Sequence, residues 1–132
     1  MNFIRTNIIV VFLFISTLYF AQEKVWIDAD WKTTSKEKAT YFKETTLQNR
    51  VLTYYFKNGK IAKKETYENR VLEGDYSEFY ESGNLKETGK YDNGKRDGIW
   101  KTYYENGKIN VRGKYREGDK VGVWKTYYKN DY

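Results

Sequence analysis

A repeat with a fixed period of 24 residues constrains the fold of this chain more than any other feature of its sequence. The stretch "GIWKTYY", residues 98–104, returns as "GVWKTYY", residues 122–128, so that Trp100 and Trp124 lie 24 positions apart. Glycines follow the same spacing in one series of Gly59, Gly83 and Gly107 and a second of Gly74, Gly98 and Gly122. A short repeat of this kind predicts stacked copies of one small structural unit.

Each copy has the residue pattern of a β-hairpin. Aromatic and β-branched residues flank a glycine-containing turn signal, which favours strands over helices. We predict that Asn106-Gly107 forms a two-residue loop with positive φ at both positions. Tyr104 then faces Ile109, and Trp100 faces Gly113, on one face of the sheet. The ring of Trp100 would cover a residue that has no side chain.

The same register can be applied to the earlier copies. In the preceding copy it places Tyr76 opposite Gly89, which repeats the pairing of a large residue with a glycine. One copy earlier, Leu52 faces Glu65 and the glycine partner is missing. Residues 51–73 are therefore predicted to be a degenerate copy.

The predicted fold is all-β, an elongated antiparallel meander of stacked β-hairpins with a 24-residue period. Residues 51–132 form the repeats, and residues 22–50, which share no register with them, form an N-terminal β cap with strands in "VWIDADW" and "ATYFKE". Repeat arrays generally need such atypical end units. The sequence stops half a copy after Trp124, so we expect an unpaired edge strand at residues 124–128.

The first 21 residues differ from the rest of the chain. A single charge at Arg5 is followed by the apolar run Ile8 to Phe20 and then by Ala21-Gln22. This order is typical of a secretory signal peptide, and the run is too short for a usual membrane-spanning helix. We predict that residues 1–21 are removed near Ala21-Gln22 and that the protein is exported to the periplasm, the cell surface or the medium. The alternative is an uncleaved membrane anchor.

The repeat resembles a known family. The stretch "YYENGKINVRGKYREGDKVGVW", residues 103–124, is similar to the MORN repeat variant. The matching positions are Tyr103, Tyr104, Asn106, Gly107, Lys108, Gly113, Tyr115, Gly118, Gly122 and Trp124. This resemblance implies rows of short hairpins in one twisted sheet, a scaffolding role, lipid contact in some members, and no catalytic residues.

The layout of the whole chain also resembles the exported YwqK-type antitoxin family of Bacteroidetes. That second resemblance implies a toxin as the partner. It rests on the order of an exported N-terminus, a cap containing "DADW", and the repeats.

The composition argues against catalysis. The chain has no histidine and no cysteine, so the commonest general base, the commonest zinc ligands and all thiol nucleophiles are missing. The carboxylate pairs Asp28 with Asp30 and Glu78 with Glu87 are better explained by solvation. "GKYDNGKR" resembles a phosphate-binding loop, but Arg96 stands where Ser or Thr is needed. We predict no enzyme activity and no cofactor.

The charge pattern does not suggest a nucleic-acid partner. The net charge is +6, and basic and acidic residues are mixed along the chain. Nucleic-acid-binding proteins usually concentrate their cations on one element or face. We predict a protein partner, with an envelope lipid or polysaccharide as the alternative.

Four aromatic residues recur once per copy and point away from the predicted core. They lie one residue before the core aromatics and are Tyr55, Phe79, Tyr103 and Tyr127. Lys101, Arg112 and Lys125 border them. One interpretation is a recognition surface, because tyrosine beside arginine is common in binding hot spots. The other is that these rings simply cover the sheet, since strands favour aromatic residues for packing alone.

Overall fold

A computed structural model describes residues 23–44 and 50–128 of the chain. All strands in this part belong to one antiparallel sheet, and their order in the sheet is their order in the chain. The strands are β1 (Lys24–Ile27), β2 (Tyr41–Glu44), β3 (Val51–Phe56), β4 (Ile61–Glu68), β5 (Val71–Phe79), β6 (Leu85–Asp92), β7 (Lys95–Tyr103), β8 (Ile109–Arg116) and β9 (Asp119–Thr126). The predicted all-β meander is confirmed.

The predicted signal peptide, residues 1–21, and its cleavage point at Ala21-Gln22 lie outside the described residues. Within the described ranges, no helix has the length and apolar character that a membrane crossing requires.

Three-residue loops close the hairpins within the copies. In the loop after β7, the N–H of Gly107 donates to the carbonyl oxygen of Tyr104 at 2.8 Å, and the N–H of Tyr104 donates to Lys108 at 2.8 Å. Gly107 has a φ of 84°, whereas Asn106 does not have a positive φ. The prediction of a two-residue loop at Asn106-Gly107 is therefore wrong. The chain forms a type I turn followed by a left-handed glycine, which the same two residues suit equally well.

A bulge cancels the effect of the longer loop on the register. Ile109 faces Tyr103, one residue away from the predicted partner. Asn110 is an extra residue in β8, and beyond it Trp100 faces Gly113 as predicted. The two earlier hairpins show the same shift and the same compensation.

A second kind of turn joins one copy to the next. At these connections two successive residues have positive φ, as a two-residue type I′ hairpin loop requires. The pairs are Asn69 with Arg70, Asn93 with Gly94, and Glu117 with Gly118. The predicted turn type thus exists in this protein, but it joins successive copies at the opposite end of the strands.

Side chains alternate between two faces of the sheet, and one face holds most of the buried rings. Tyr54, Tyr76 and Trp100 are 8%, 8% and 2% exposed. Trp100 contacts Tyr91 and Tyr115 edge-on, at centroid distances of 5.3 and 5.9 Å. We call this side, with Tyr54, Tyr76, Trp100 and Trp124, the aromatic face. We call the opposite side, which carries Lys101, Arg112 and Lys125, the basic face.

The glycines opposite the large residues are covered by a different ring from the one predicted. A Cβ atom on Gly89 would lie 2.2 Å from the ring of Trp100, and one on Gly113 would lie 2.1 Å from the ring of Trp124. The cross-strand partner of Trp100 is Gly113, but its ring leans the other way, toward the previous copy. There it packs against Tyr76 at a centroid distance of 5.3 Å.

The predicted cap contributes the first two strands of the sheet. The "DADW" segment is a turn, in which the carboxylate of Asp28 accepts the N–H groups of Asp30 and Lys32 at 2.9 and 3.0 Å. The ring of Trp31 then stacks on Tyr41 at 4.4 Å. Of the predicted strand in "VWIDADW", only the first part is extended.

Candidate interaction surface

Three cations of the aromatic face, Lys63, Lys86 and Arg96, have carboxylate partners close by. Lys86 lies 2.7 Å from Glu78, and Lys63 lies 2.8 Å from Glu65. Lys63 and Glu65 are themselves only 8% and 7% exposed. A buried charge is tolerated only when it is paired and hydrogen-bonded, so these contacts are needed to keep this face folded.

The buried pair sits in a cage of rings. The ammonium of Lys63 lies 3.8 Å from the ring centroid of Trp31 and 4.2 Å from that of Tyr54. Glu65 accepts a hydrogen bond from the hydroxyl of Tyr67 at 3.0 Å. Burial, and then the negative charge of Glu65, raise the pKa of both tyrosines, so their phenols stay neutral at ordinary pH.

Arg96 makes the equivalent contact further along the sheet. Its guanidinium forms two hydrogen bonds with Glu87, at 2.9 and 3.1 Å, and lies 3.9 Å from the ring centroid of Trp100. Burial alone would lower the pKa of Arg96, but its hydrogen bond and charge interaction with Glu87 raise it overall. Glu78 and Glu87, weighed above as a carboxylate pair, therefore each bind a cation.

The opposite face carries three cations directly across from one another. Lys101 in β7 is the cross-strand partner of Arg112 in β8, and Arg112 is the partner of Lys125 in β9. Side chains at such positions have Cβ atoms roughly 5 Å apart, and like charges there are destabilising. We call these three residues the basic row. The face that carries them is the basic face.

No carboxylate in the described part of the chain lies within 4.0 Å of the basic row. Lys114, on the same face, has no such partner either within these ranges. The aromatic face thus pairs Lys63, Lys86 and Arg96 with carboxylates, whereas the basic face carries a row of directly opposed cations without such partners.

Two exposed apolar residues lie beside the basic row. Ile99 is 45% exposed and Val123 is 80% exposed. Together with Arg112, Lys114 and Lys125 they line a shallow depression in the sheet. The surface thus combines apolar contact area with positive charge.

The predicted aromatic residues lie on the basic face but are not equally accessible. Tyr55 stacks on Phe42 of the cap at 5.2 Å, and Phe79 is half-buried. Tyr103 is half-buried, with its hydroxyl 3.5 Å from Thr88, while Tyr127 is 40% exposed. The structure thus brings Lys101, Arg112 and Lys125 together in one row. Tyr103 belongs to β7, the strand that carries Lys101, and Tyr127 directly follows β9, the strand that carries Lys125.

Sequence analysis does not single out Ile99 and Val123. Their signal was available, because they occupy the same position in successive copies, 24 residues apart, and alternate with Trp100 and Trp124. The buried pair of Lys63 and Glu65 gave no such signal, since charged residues in a strand usually face water.

The described residues contain no group of His, Cys, Asp or Glu that could hold a metal ion. Asp28 uses its carboxylate to cap the turn of the N-terminal cap.

Fold and surface together define a single-layer hairpin-repeat protein that presents flat faces. A family model for the MORN repeat variant matches residues 51–69, 72–93 and 96–117. Each match spans one hairpin with a three-residue loop, and the first includes most of the copy predicted to be degenerate. The chain therefore contains three MORN repeats of the variant type. Proteins built from these repeats are generally non-enzymatic modules that bind proteins or membranes.

No curated protein and no solved structure matches the chain. The resemblance to the antitoxin family thus has no relative to support it.

Proposed function

We propose that this protein is a non-enzymatic binding module whose basic face docks an acidic surface of a partner protein. The observation that carries the proposal is the basic row, Lys101, Arg112 and Lys125. Three directly opposed cations destabilise the free sheet, and carboxylates from a partner would relieve their repulsion. Acidic side chains of this chain already play that part on the aromatic face.

The apolar residues give the surface more than charge. Ile99 and Val123 offer exposed area next to the row, so a partner with apolar residues among its carboxylates would fit best. Tyr103 and Tyr127 belong to the same face and extend the contact area. With the predicted signal peptide removed, such a partner would lie in the periplasm or at the cell surface.

A second candidate is binding to an anionic membrane surface. The 80% exposure of Val123 favours it, because an apolar side chain beside lysines can enter the headgroup region while the cations meet lipid phosphates. A third, toxin neutralisation, is a special case of protein binding. It rests on the resemblance alone.

The test uses a pair of charge reversals in the basic row. Arg112→Glu/Lys125→Glu exchanges two exposed cations for carboxylates and leaves the aromatic face unchanged. The purified variant and the wild type would be compared for binding to polyglutamate and to vesicles with and without phosphatidylglycerol. Chemical crosslinking in the native cell, read by mass spectrometry, would identify the bound proteins. We expect at least a tenfold loss of affinity for the acidic probe, from about 1 kcal/mol per charge, and weaker binding as salt rises.

The matched control is Lys32→Glu/Lys38→Glu, which makes the same charge change at exposed positions of the cap. The control should bind as the wild type does. Equal losses in both double variants would show that only net charge matters and would contradict the proposal. Binding to anionic vesicles but not to polyglutamate or to any crosslinked protein would favour the membrane candidate instead.

A further inference from the structure

The outer edge of β9 has unused backbone hydrogen-bonding groups. In the described part of the chain, no strand pairs with the side of β9 that points away from β8. The N–H of Tyr127 donates inward to Asn110 at 2.7 Å. Directly after β7, the N–H of Tyr104 donates across to Lys108, and pairing with β8 is unbroken from Gly98 to Thr102, so the alternate residues Gly98, Trp100 and Thr102 also direct their backbone groups to β8. Their equivalents in β9, which are Gly122, Trp124 and Thr126, therefore point outward.

The preceding copy shows which strand such an edge accepts. There β7 pairs with β8 without interruption from Gly98 to Thr102. Gly98 faces Tyr115, and Trp100 faces Gly113. Both strands contain a glycine followed two residues later by an aromatic residue. In the antiparallel pair, the glycine of each strand lies opposite the aromatic residue of the other.

The β9 strand itself has this pattern in Gly122-Val123-Trp124. A second copy of β9 in antiparallel orientation would place its aromatic residue opposite Gly122 and its glycine opposite Trp124, as β8 does for β7. We propose that two copies of this chain pair through β9 in antiparallel orientation, with Val123 on a two-fold axis. Gly122 of each copy then lies opposite Trp124 of the other. The two sheets become one continuous sheet.

This register also accommodates the neighbouring side chains. Val123, the 80% exposed apolar residue, meets its own equivalent on the basic face. Lys125 lies opposite Val121 of the second copy, and Lys120 lies opposite Thr126. No two like charges are directly opposed between the copies, whereas centring the pair on Lys125 would oppose two lysines. Trp124, half-exposed at the edge, gains a ring neighbour on its open side.

The dimer does not rest on the proposed function, although Val123 and Lys125 take part in both. The binding surface depends on the charges of the basic row, and the dimer depends on backbone pairing at the edge.

A single introduced cysteine tests the register. The chain has no cysteine, so any disulfide in Val123→Cys must join two molecules. Directly opposed residues of a pair without mutual hydrogen bonds have Cα atoms about 4.5 Å apart, within reach of a disulfide. We expect Val123→Cys to form a covalent dimer under mild oxidation. Ile99→Cys, also an exposed site but two strands from the edge, should stay largely uncrosslinked.

Opposite charges at the same position test the two-fold axis. Val123→Lys and Val123→Asp should each be monomeric by light scattering, because each places two like charges face to face. Mixed together, they should form a heterodimer. Circular dichroism would confirm that both variants are folded, as expected for a residue so exposed. A monomeric wild type at about 100 μM, or equal crosslinking of the two cysteine variants, would overturn the proposal.

Discussion

At the level of single residues, tryptophan rings lie so close to two glycines that no larger residue fits at these positions without displacing the ring. Gly89 lies directly under Trp100, which is 2% exposed. Gly113 lies under Trp124, which is half-exposed and has fewer neighbours. The two sites have the same local geometry but differ in how freely the ring above them can move.

We expect Gly89→Ala to lower the free energy of unfolding by about 1–3 kcal/mol, because the new methyl group collides with a ring that is held on several sides. Gly113→Ala should cost less, since the ring of Trp124 can swing outward at the edge. Urea denaturation measures both. Lys90→Ala, next to Gly89 but at an exposed position on the other face, serves as the control. Equal losses for the two glycine variants would show that ring confinement is irrelevant.

The same reasoning separates the two tryptophans. Trp100→Ala should cost roughly 3–5 kcal/mol, as truncation of a fully buried aromatic residue does. Trp124→Ala should cost less than that. Urea denaturation of the two variants would measure the difference, and equal losses would contradict the different burial of the two rings.

At the level of the hairpin, the two ends of the strands carry different turns. Three-residue loops close the hairpins at one end, and two-residue turns join the copies at the other. One connection between copies lacks the usual glycine: Arg70 has a φ of 67° at the position where Gly94 and Gly118 stand in later copies. A residue with a side chain is strained in this conformation.

Arg70→Gly should therefore raise the free energy of unfolding by about 1 kcal/mol. Gly94→Ala, the reverse change in the next copy, should lower it by a similar amount, because a side chain there must adopt a φ of 77°. Thermal and urea denaturation would measure both. A destabilised Arg70→Gly variant would mean that contacts of the arginine side chain outweigh the backbone strain.

The sequence was sufficient for the register of the hairpins but not for their loops. Spacing alone correctly placed Trp100 opposite Gly113 and Tyr76 opposite Gly89. Asn106-Gly107 is compatible with two turn types, and local sequence does not choose between them. The direction in which the Trp100 ring leans depends on Tyr76 in the previous copy, which is a tertiary contact.

The candidate site was predictable in its charges and less so in the rest. Lys101, Arg112 and Lys125 emerge from strand alternation, which is a local property. That they form one opposed row required the pairing of three strands. The partial burial of Tyr103 depends on its contact with Thr88 of β6, which the repeat spacing does not reveal.

At the level of the whole molecule, the residues that the structure describes form a single layer, so rings and paired charges cover its buried side in place of a second layer. Burial raises the pKa of Tyr54, Tyr67 and Tyr76 above the ordinary value of 10.0. Neighbouring glutamates, Glu65 for the first two and Glu78 for the third, add to the shift. The folded sheet thus holds these phenols in their neutral form more strongly than the unfolded chain does.

The sign of the pH dependence follows from this difference. A raised pKa in the folded state gives stability that is present below about pH 10 and is lost as pH rises through the folded-state values. We expect the free energy of unfolding to fall steadily above about pH 10, with ultraviolet titration showing delayed phenolate formation. Tyr76→Phe should reduce the alkaline loss, and Tyr127→Phe, at an exposed site, should not. Stability unchanged through the alkaline range would contradict the burial of these hydroxyls.

The matched loop and bulge in each hairpin restrict how such repeats can gain or lose residues over time. Deleting one residue from the loop around Gly107, or Asn110 alone, would turn every later side chain of that strand to the wrong side. Deleting both together would leave the pairing intact. Length changes in these hairpins are thus tolerated in coupled pairs.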